Sequence, residues 1–202
     1  GKHNPNYIFL SEKQKRLLKS DGQTLRNKID LVILDNKIDF SLNNKIFYLG
    51  RTDPEKGILN FAKSNALKNY HLIIAGDGSD NPDLEKFENV ELMGWVSLNK
   101  AIAIAKTCRF SIFPSLWYEV DPLTPWELMS TGMPILACDQ NLFGQELKEH
   151  FPGLVYKHGD YKDLEHKIKM LNDDIYLNEI SERIIHYANS NITKRNKAWD
   201  GF

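Results

Sequence analysis

The 202-residue chain carries 26 Lys and Arg against 27 Asp and Glu, a formal net charge of −1, with 42% hydrophobic residues. That near-neutral balance argues against a general nucleic-acid binder, and the composition is that of a folded chain rather than a disordered one. The length holds one domain of ordinary size, or one domain with a piece of a second, and can bury a core without disulfides or a structural metal.

The start, Gly1-Lys2-His3-Asn4, lacks the apolar stretch of a leader peptide. A first apolar run, Tyr7–Leu10, leads into a basic amphipathic helix over Glu12–Lys19 that ends at Asp21-Gly22. A polar spacer, a short run at Leu31–Leu34 and a polar hinge from Asp35 through Asn44 follow. From there the rhythm is regular. Strands are expected at Ile46–Leu49, His71–Ala75, Val90–Met93, Phe110–Phe113 and Pro134–Ala137, and helices at Lys56–Leu67, Asn99–Lys106, Pro122–Ser130 and Asp163–Leu171. The strand runs show no strict alternation, which suits parallel strands covered on both faces. The pattern predicts an α/β fold, a doubly wound Rossmann-like parallel sheet with right-handed crossovers. After Leu171 the chain reads as polar helix to about Asn189 with no further strand. The expected division is a core unit over 40–172, flanked by 1–39 and 173–202.

Cys108 and Cys138 lie in neither C-x-x-C nor C…H spacing and read as small buried hydrophobes in a reducing compartment. No apolar run approaches the ~20 residues that span a bilayer. Both observations point to a cytoplasmic protein.

In an open α/β sheet, ligands bind beyond the carboxyl ends of the strands, so the residues after each run carry the chemistry. Gly50-Arg51-Thr52 follows the first strand of the regular sheet, and Lys56 opens the next helix. A planar guanidinium and a compact ammonium at one strand end form a candidate diphosphate clamp, or else an ordinary solvated loop. Ala75-Gly76-Asp77-Gly78 fails the dinucleotide fingerprint, because Asn81 stands where a third glycine is needed. Its small residues allow a ligand or a loop to approach. Gly94-Trp95-Val96 offers an indole that either stacks on a base or packs internally.

The densest segment runs from Pro114 to Gly132. Glu119 falls in a loop and Glu127 on the following helix, and Pro122 suits that helix's first turn. Free N–H groups of Leu123 and Thr124 would then face a phosphate, and Glu127 would reach a ribose diol, or else Glu119 and Glu127 are solvated or capping carboxylates.

In their order, Gly50-Arg51…Lys56-Gly57, Ala75–Gly78, Met93–Val96, Pro114-Ser115…Glu119, Glu127 with Gly132–Ile135, and Gly159-Asp160 resemble one family. It is the C-terminal, donor-binding domain of GT-B glycosyltransferases of the retaining group 1, or family 4, type. Glu119 and Glu127 reproduce that family's E-x7-E spacing. More weakly, Phe9–Glu12 and the basic helix resemble the last strand–helix unit of the family's N-terminal domain. Asn36-Lys37-Ile38-Asp39 resembles its interdomain turn, with Lys37 in place of Gly.

The resemblance implies roles. Arg51, Lys56 and Glu119 would be catalytic: the two cations hold the donor diphosphate and stabilise the departing nucleotide, and Glu119 contacts the transferred sugar. Gly50, Gly76, Gly78, Trp95, Val96, Val120, Asp121, Leu123, Thr124 and Glu127 would bind the nucleotide sugar, with Val120, Asp121, Leu123 and Thr124 acting through backbone N–H groups. No cofactor is implied beyond the donor substrate, a UDP- or GDP-sugar, and no metal, since two side-chain cations are present. The acceptor, a glycan or a lipid-linked molecule, would dock on an N-terminal domain of which 1–39 is an edge, with the 173–202 tail packing back towards it. Peripheral association with the inner face of a membrane would come through the full-length protein. A GT-B-fold sugar-nucleotide epimerase and a non-catalytic nucleotide-binding scaffold are the alternatives.

Overall fold

The apolar runs from residue 45 onward assemble into one sheet in the computed structural model, which describes residues 7–10, 12–19, 22–29, 38–40 and 43–201. Its strands are β3 (Lys45–Leu49), β4 (His71–Ala75), β5 (Val90–Leu92), β6 (Phe110–Phe113), β7 (Ile135–Cys138) and β8 (Val155–Tyr156). All pairings are parallel, in the order β5-β4-β3-β6-β7-β8. This is the doubly wound Rossmann order, and its direction reverses between β3 and β6. A separate parallel pair joins β1 (Tyr7–Phe9) to β2 (Gly22–Thr24), with α1 (Glu12–Leu17) between them.

Every residue of β6 and β7 is buried, and so are Ile46, Phe47 and Tyr48 of β3. The apolar runs lack alternation because helices cover both faces. Ser111, the polar intruder in β6, gives its hydroxyl proton to the carbonyl of Phe47 at 2.8 Å, so its burial leaves no donor unmet. Ile29, Ile38 and Phe40 join the same apolar core from the first forty residues.

The helices depart from expectation in instructive places. The single helix expected over Lys56–Leu67 is a 3-10 turn at Pro54–Lys56, α2 at Ile58–Ala62 and a second 3-10 turn at Asn65–Leu67. The break is Gly57, whose φ of +71° is left-handed and whose Cβ would lie 2.4 Å from the Pro114 carbonyl oxygen. α4 runs over Leu98–Ala105 from the N-cap Ser97. α5 spans Thr124–Ser130, so Pro125 rather than Pro122 occupies its first turn. α7 spans Tyr161–Met170, with Asp160 capping the N–H of Asp163.

Four elements stand where none is expected: β2 within the spacer, β8 at the sheet edge, α3 at Asn81–Leu84 and α6 at Leu142–His150. The polar tail is one 24-residue helix, α8 (Asp174–Lys197), which continues past Asn189. The run at Leu31–Leu34 and the hinge residues Asp35, Asn36 and Lys37 lie outside the described residues. No helix among the described residues is long and apolar enough to cross a membrane.

Candidate functional site

The reversal between β3 and β6 opens a crevice beyond their carboxyl ends. Carboxylates and close backbone packing hold the loops around it. Asp53 accepts the N–H of Ser79 at 3.0 Å and its hydroxyl at 3.2 Å, which joins the β3 loop to the β4 loop. Asp77 accepts the N–H of Trp95 at 3.0 Å, which joins the β4 loop to the β5 loop. Gly76 and Gly78 pack tightly against the β3 loop: a Cβ on Gly76 would meet the Gly50 carbonyl oxygen at 1.9 Å, and one on Gly78 the Thr52 backbone at 2.6 Å. The β3 loop is also stapled across the crevice, since the N–H groups of Leu116 and Trp117 both donate to the carbonyl of Glu55, at 2.9 and 3.1 Å.

Two cations face this crevice in different states. Arg51 is 63% exposed in its side chain and pairs with Asp53 and, at 3.0 Å, with Glu55. Tyr48 fixes the backbone beneath it by donating its phenol to the Arg51 carbonyl at 2.5 Å. Burial, with the Glu119 charge next, pushes that phenol far above its ordinary range, so it stays a donor. Lys56 is largely buried and forms an ion pair with Glu119, which also accepts the Ser115 hydroxyl at 3.0 Å. Ser115 is held in turn by Asn141, whose amide donates to its carbonyl at 3.0 Å while its carbonyl oxygen caps α6 at Gly144. Lys56 comes from the β3 side and Glu119 from the β6 side, so the pair bridges the point where the strand order reverses.

The remaining predicted residues lie around that pair. Glu127 sits in the first turn of α5, its N–H bonded to the Leu123 carbonyl at 3.0 Å. Val120 is half-buried and Leu123 exposed. Asp121 differs from the rest, because its side chain is 0% exposed and faces Arg26 and Arg195 rather than the crevice. Trp95 is 80% exposed, which removes the internal-packing reading, while Val96 packs against the core. Trp117, 62% exposed, and Tyr118, 38% exposed, add aromatic surface on the β6 loop. Asp77 and Ser115, which help to position the loops, fall within the family-like segments Ala75–Gly78 and Pro114–Glu119, whereas only its place just after β3 marks Asp53.

A cavity of about 70 Å³ lies behind Gly57, lined by Phe61, Pro114, Leu116, Tyr161 and Leu164 among others.

The family profile described as "Glycosyl transferases group 1" matches residues 16–190. The chain belongs to that family. Its sheet order is that of the C-terminal Rossmann-like domain of GT-B glycosyltransferases, and the crystal structure of TarM superposes with a TM-score of 0.80 at 16% identity, over 97% of this chain and 43% of that one. HepE of Anabaena in complex with UDP and glucose gives a TM-score of 0.76 at 17% identity, over 97% of this chain and 62% of that one. Among curated relatives, this group 1 glycosyltransferase chain is 27% identical over 213 residues to the UDP-Gal:alpha-D-GlcNAc-diphosphoundecaprenol alpha-1,3-galactosyltransferase of Escherichia coli. It is 25% identical over 146 residues to the alpha-D-kanosaminyltransferase of Streptomyces kanamyceticus. Those alignments take in 98% and 66% of this chain but 49% and 38% of the relatives, so the chain spans about half of their length or less.

Proposed function

We propose that this chain is the donor-binding half of a retaining glycosyltransferase that moves a sugar from a UDP- or GDP-sugar to a glycan or lipid-linked acceptor. The observation that carries the reading is the Lys56–Glu119 pair across the strand reversal, with Arg51 on the same loop as Lys56. On donor binding the diphosphate takes Lys56 and Arg51 from their carboxylates, and the released Glu119 meets hydroxyls of the sugar. As the bond between the sugar carbon and the phosphate oxygen breaks, the two fixed cations stabilise the charge gathering on the nucleoside diphosphate. The acceptor oxygen takes the sugar carbon and passes its proton to the departing phosphate oxygen. Glu127 holds the ribose, and the exposed Trp95 offers a face to the base.

Those cations supply the positive charge the reaction needs, so chelation with EDTA should leave donor affinity unchanged. UDP is favoured over GDP by the names of the E. coli relative and of the HepE complex. The diphosphoundecaprenol in the former supports a lipid-linked acceptor and work at the inner face of a membrane. Choice of acceptor falls to the part of the relatives this chain does not span, so the chain alone binds donor and transfers sugar poorly. Thermal unfolding with UDP, GDP and ADP tests the reading. A nucleotide at a hundred times its Kd adds about 2.7 kcal/mol to apparent stability. One base should produce that shift; no shift with any of the three would sink the proposal.

A further inference from the structure

Asp121 is buried near the α5 end of the β6–α5 loop and draws its partners from far along the chain. Its Oδ1 accepts from Arg26 Nε at 2.9 Å, Arg26 Nη2 at 2.6 Å and Arg195 Nη1 at 3.1 Å. Its Oδ2 accepts the backbone N–H of Asn27 at 2.8 Å, and its carbonyl accepts the Asn27 side-chain amide at 3.1 Å. The donors are themselves fixed. Arg26 also pairs with Glu146 of α6 at 2.9 Å, and its carbonyl accepts Trp199 Nε1 at 3.0 Å. Asn196 of α8 exchanges two hydrogen bonds with the backbone of Ile29, at 2.8 and 3.1 Å. The Arg195 guanidinium lies 3.9 Å from the ring centre of Trp126, the residue directly before Glu127. The cluster thus grips the chain at 121 and at 126, between the two glutamates of the site.

This arrangement is costly. Arg195 is buried, yet its Nε and Nη2 have no hydrogen-bond partner. Desolvation and the neighbouring Arg26 push its pKa down to about 10, against the pull of Asp121 and Glu146. A cluster kept for stability alone is commonly matched or bettered by apolar packing of the same volume. What this one does instead is fix the course of a loop.

We propose that Asp121 is a positioning residue for the donor site: its carboxylate, clamped by Arg26 and Arg195, sets the path of residues 119–124 and with it the placement of Glu119 and Glu127. The proposal rests on the donor-binding reading of that loop. It ties the site to the end of α8 and to residues 26–29, none of which touches the crevice pair. Geometry of this kind is where a displacement on the ångström scale is felt strongly in binding and rate.

Asp121→Asn tests it, since the amide keeps the volume and one acceptor but loses the charge and faces the Asn27 N–H with a mismatched group. UDP affinity by calorimetry and hydrogen exchange resolved by segment are the two readouts, with Lys86→Ala on the surface as a control that changes neither. The expected result is a loss of affinity of about tenfold or more, together with faster exchange confined to residues 116–127. Arg195→Lys, which keeps the charge but loses the flat stack on Trp126, should do the same more weakly, and stands in if the Asn variant does not fold. Unchanged UDP affinity in a variant whose parent binds UDP overturns the proposal. So does faster exchange spread evenly over β3 to β7, which would mark Asp121 as a stabiliser of the whole fold. Failure of the unsubstituted chain to bind either UDP or GDP counts against the donor reading alone, and the exchange pattern then still decides whether Asp121 orders the loop; a chain that binds GDP instead is assayed with GDP.

Discussion

Arg109 sits at the amino end of β6 and Arg51 just beyond the carboxyl end of β3, and the two are bonded in opposite ways. Arg109 is buried and donates to the carbonyls of Phe40 at 2.7 Å, Leu171 at 3.2 Å and Asn172 at 2.9 Å, and to Asp174 at 2.5 Å. Most of its partners are backbone groups with fixed positions. Arg51 is exposed and, among the described residues, is held by the carboxylate side chains of Asp53 and Glu55. A guanidinium locked to carbonyls has nothing to exchange. One held by two surface carboxylates can hand itself to a phosphate at little cost, because exposed ion pairs are worth about 0–1 kcal/mol. The lower end of the sheet locks its arginine to backbone carbonyls, and the upper end holds Arg51 by carboxylate side chains at the surface.

Substitutions can break that contrast, beginning with the largest effect. Arg109→Ala should lower stability by about 3–5 kcal/mol in urea unfolding, since it takes the donor from three carbonyls and leaves a cavity where a buried side chain stood. UDP affinity, measured well below the unfolding temperature, should hardly change. Cys108, next to Arg109, gives a pH signature for the same end. Burial raises its thiol from 9.0 to about 11. Between those values the unfolded thiol has lost its proton and the folded one has kept it, so stability falls as pH rises through that window, by on the order of 2–3 kcal/mol. Cys108→Ala should flatten that part of the stability–pH curve.

At the other end the signs reverse. Arg51→Ala should leave stability within about 0.5 kcal/mol while weakening UDP by about tenfold. An equal loss of stability in this variant would erase the distinction between the ends. The smallest effect is also the most pointed. Asp53→Asn keeps the acceptor for Ser79 but releases Arg51 from a competing charge, so UDP should bind about two- to threefold more tightly.

The sheet could be read from sequence because parallel central strands are continuous apolar runs; Phe110–Phe113 is buried along its whole length. β8 has two residues and β2 three, too few to show a pattern. α6 escaped notice because Gly144 in its first turn looks like a breaker, although Asn141 before it is a sound cap. Of the candidate site, Arg51 and Lys56 stand out by their place after β3 and Glu127 by its place in the first turn of a helix, whereas Glu119 stands out only through its E-x7-E spacing to Glu127. The side chain of Asp121 does not stand out. Its partners Arg26 and Arg195 lie 95 and 74 positions away, and no spacing rule reaches that far.

α8 begins at Asp174, which pairs with Arg109, and reaches Arg195, which pairs with Asp121. Those 21 intervening steps of one unbroken helix measure about 30 Å and about six turns. The helix is therefore a ruler laid between the lower end of the sheet and the rim, with an arginine–aspartate lock at each end. One residue inserted in its middle would turn Arg195 by about 100° about the helix axis while Asp174 stayed where it is. Both locks close only at one length, so the register of a helix that never enters the crevice governs the shape of the crevice.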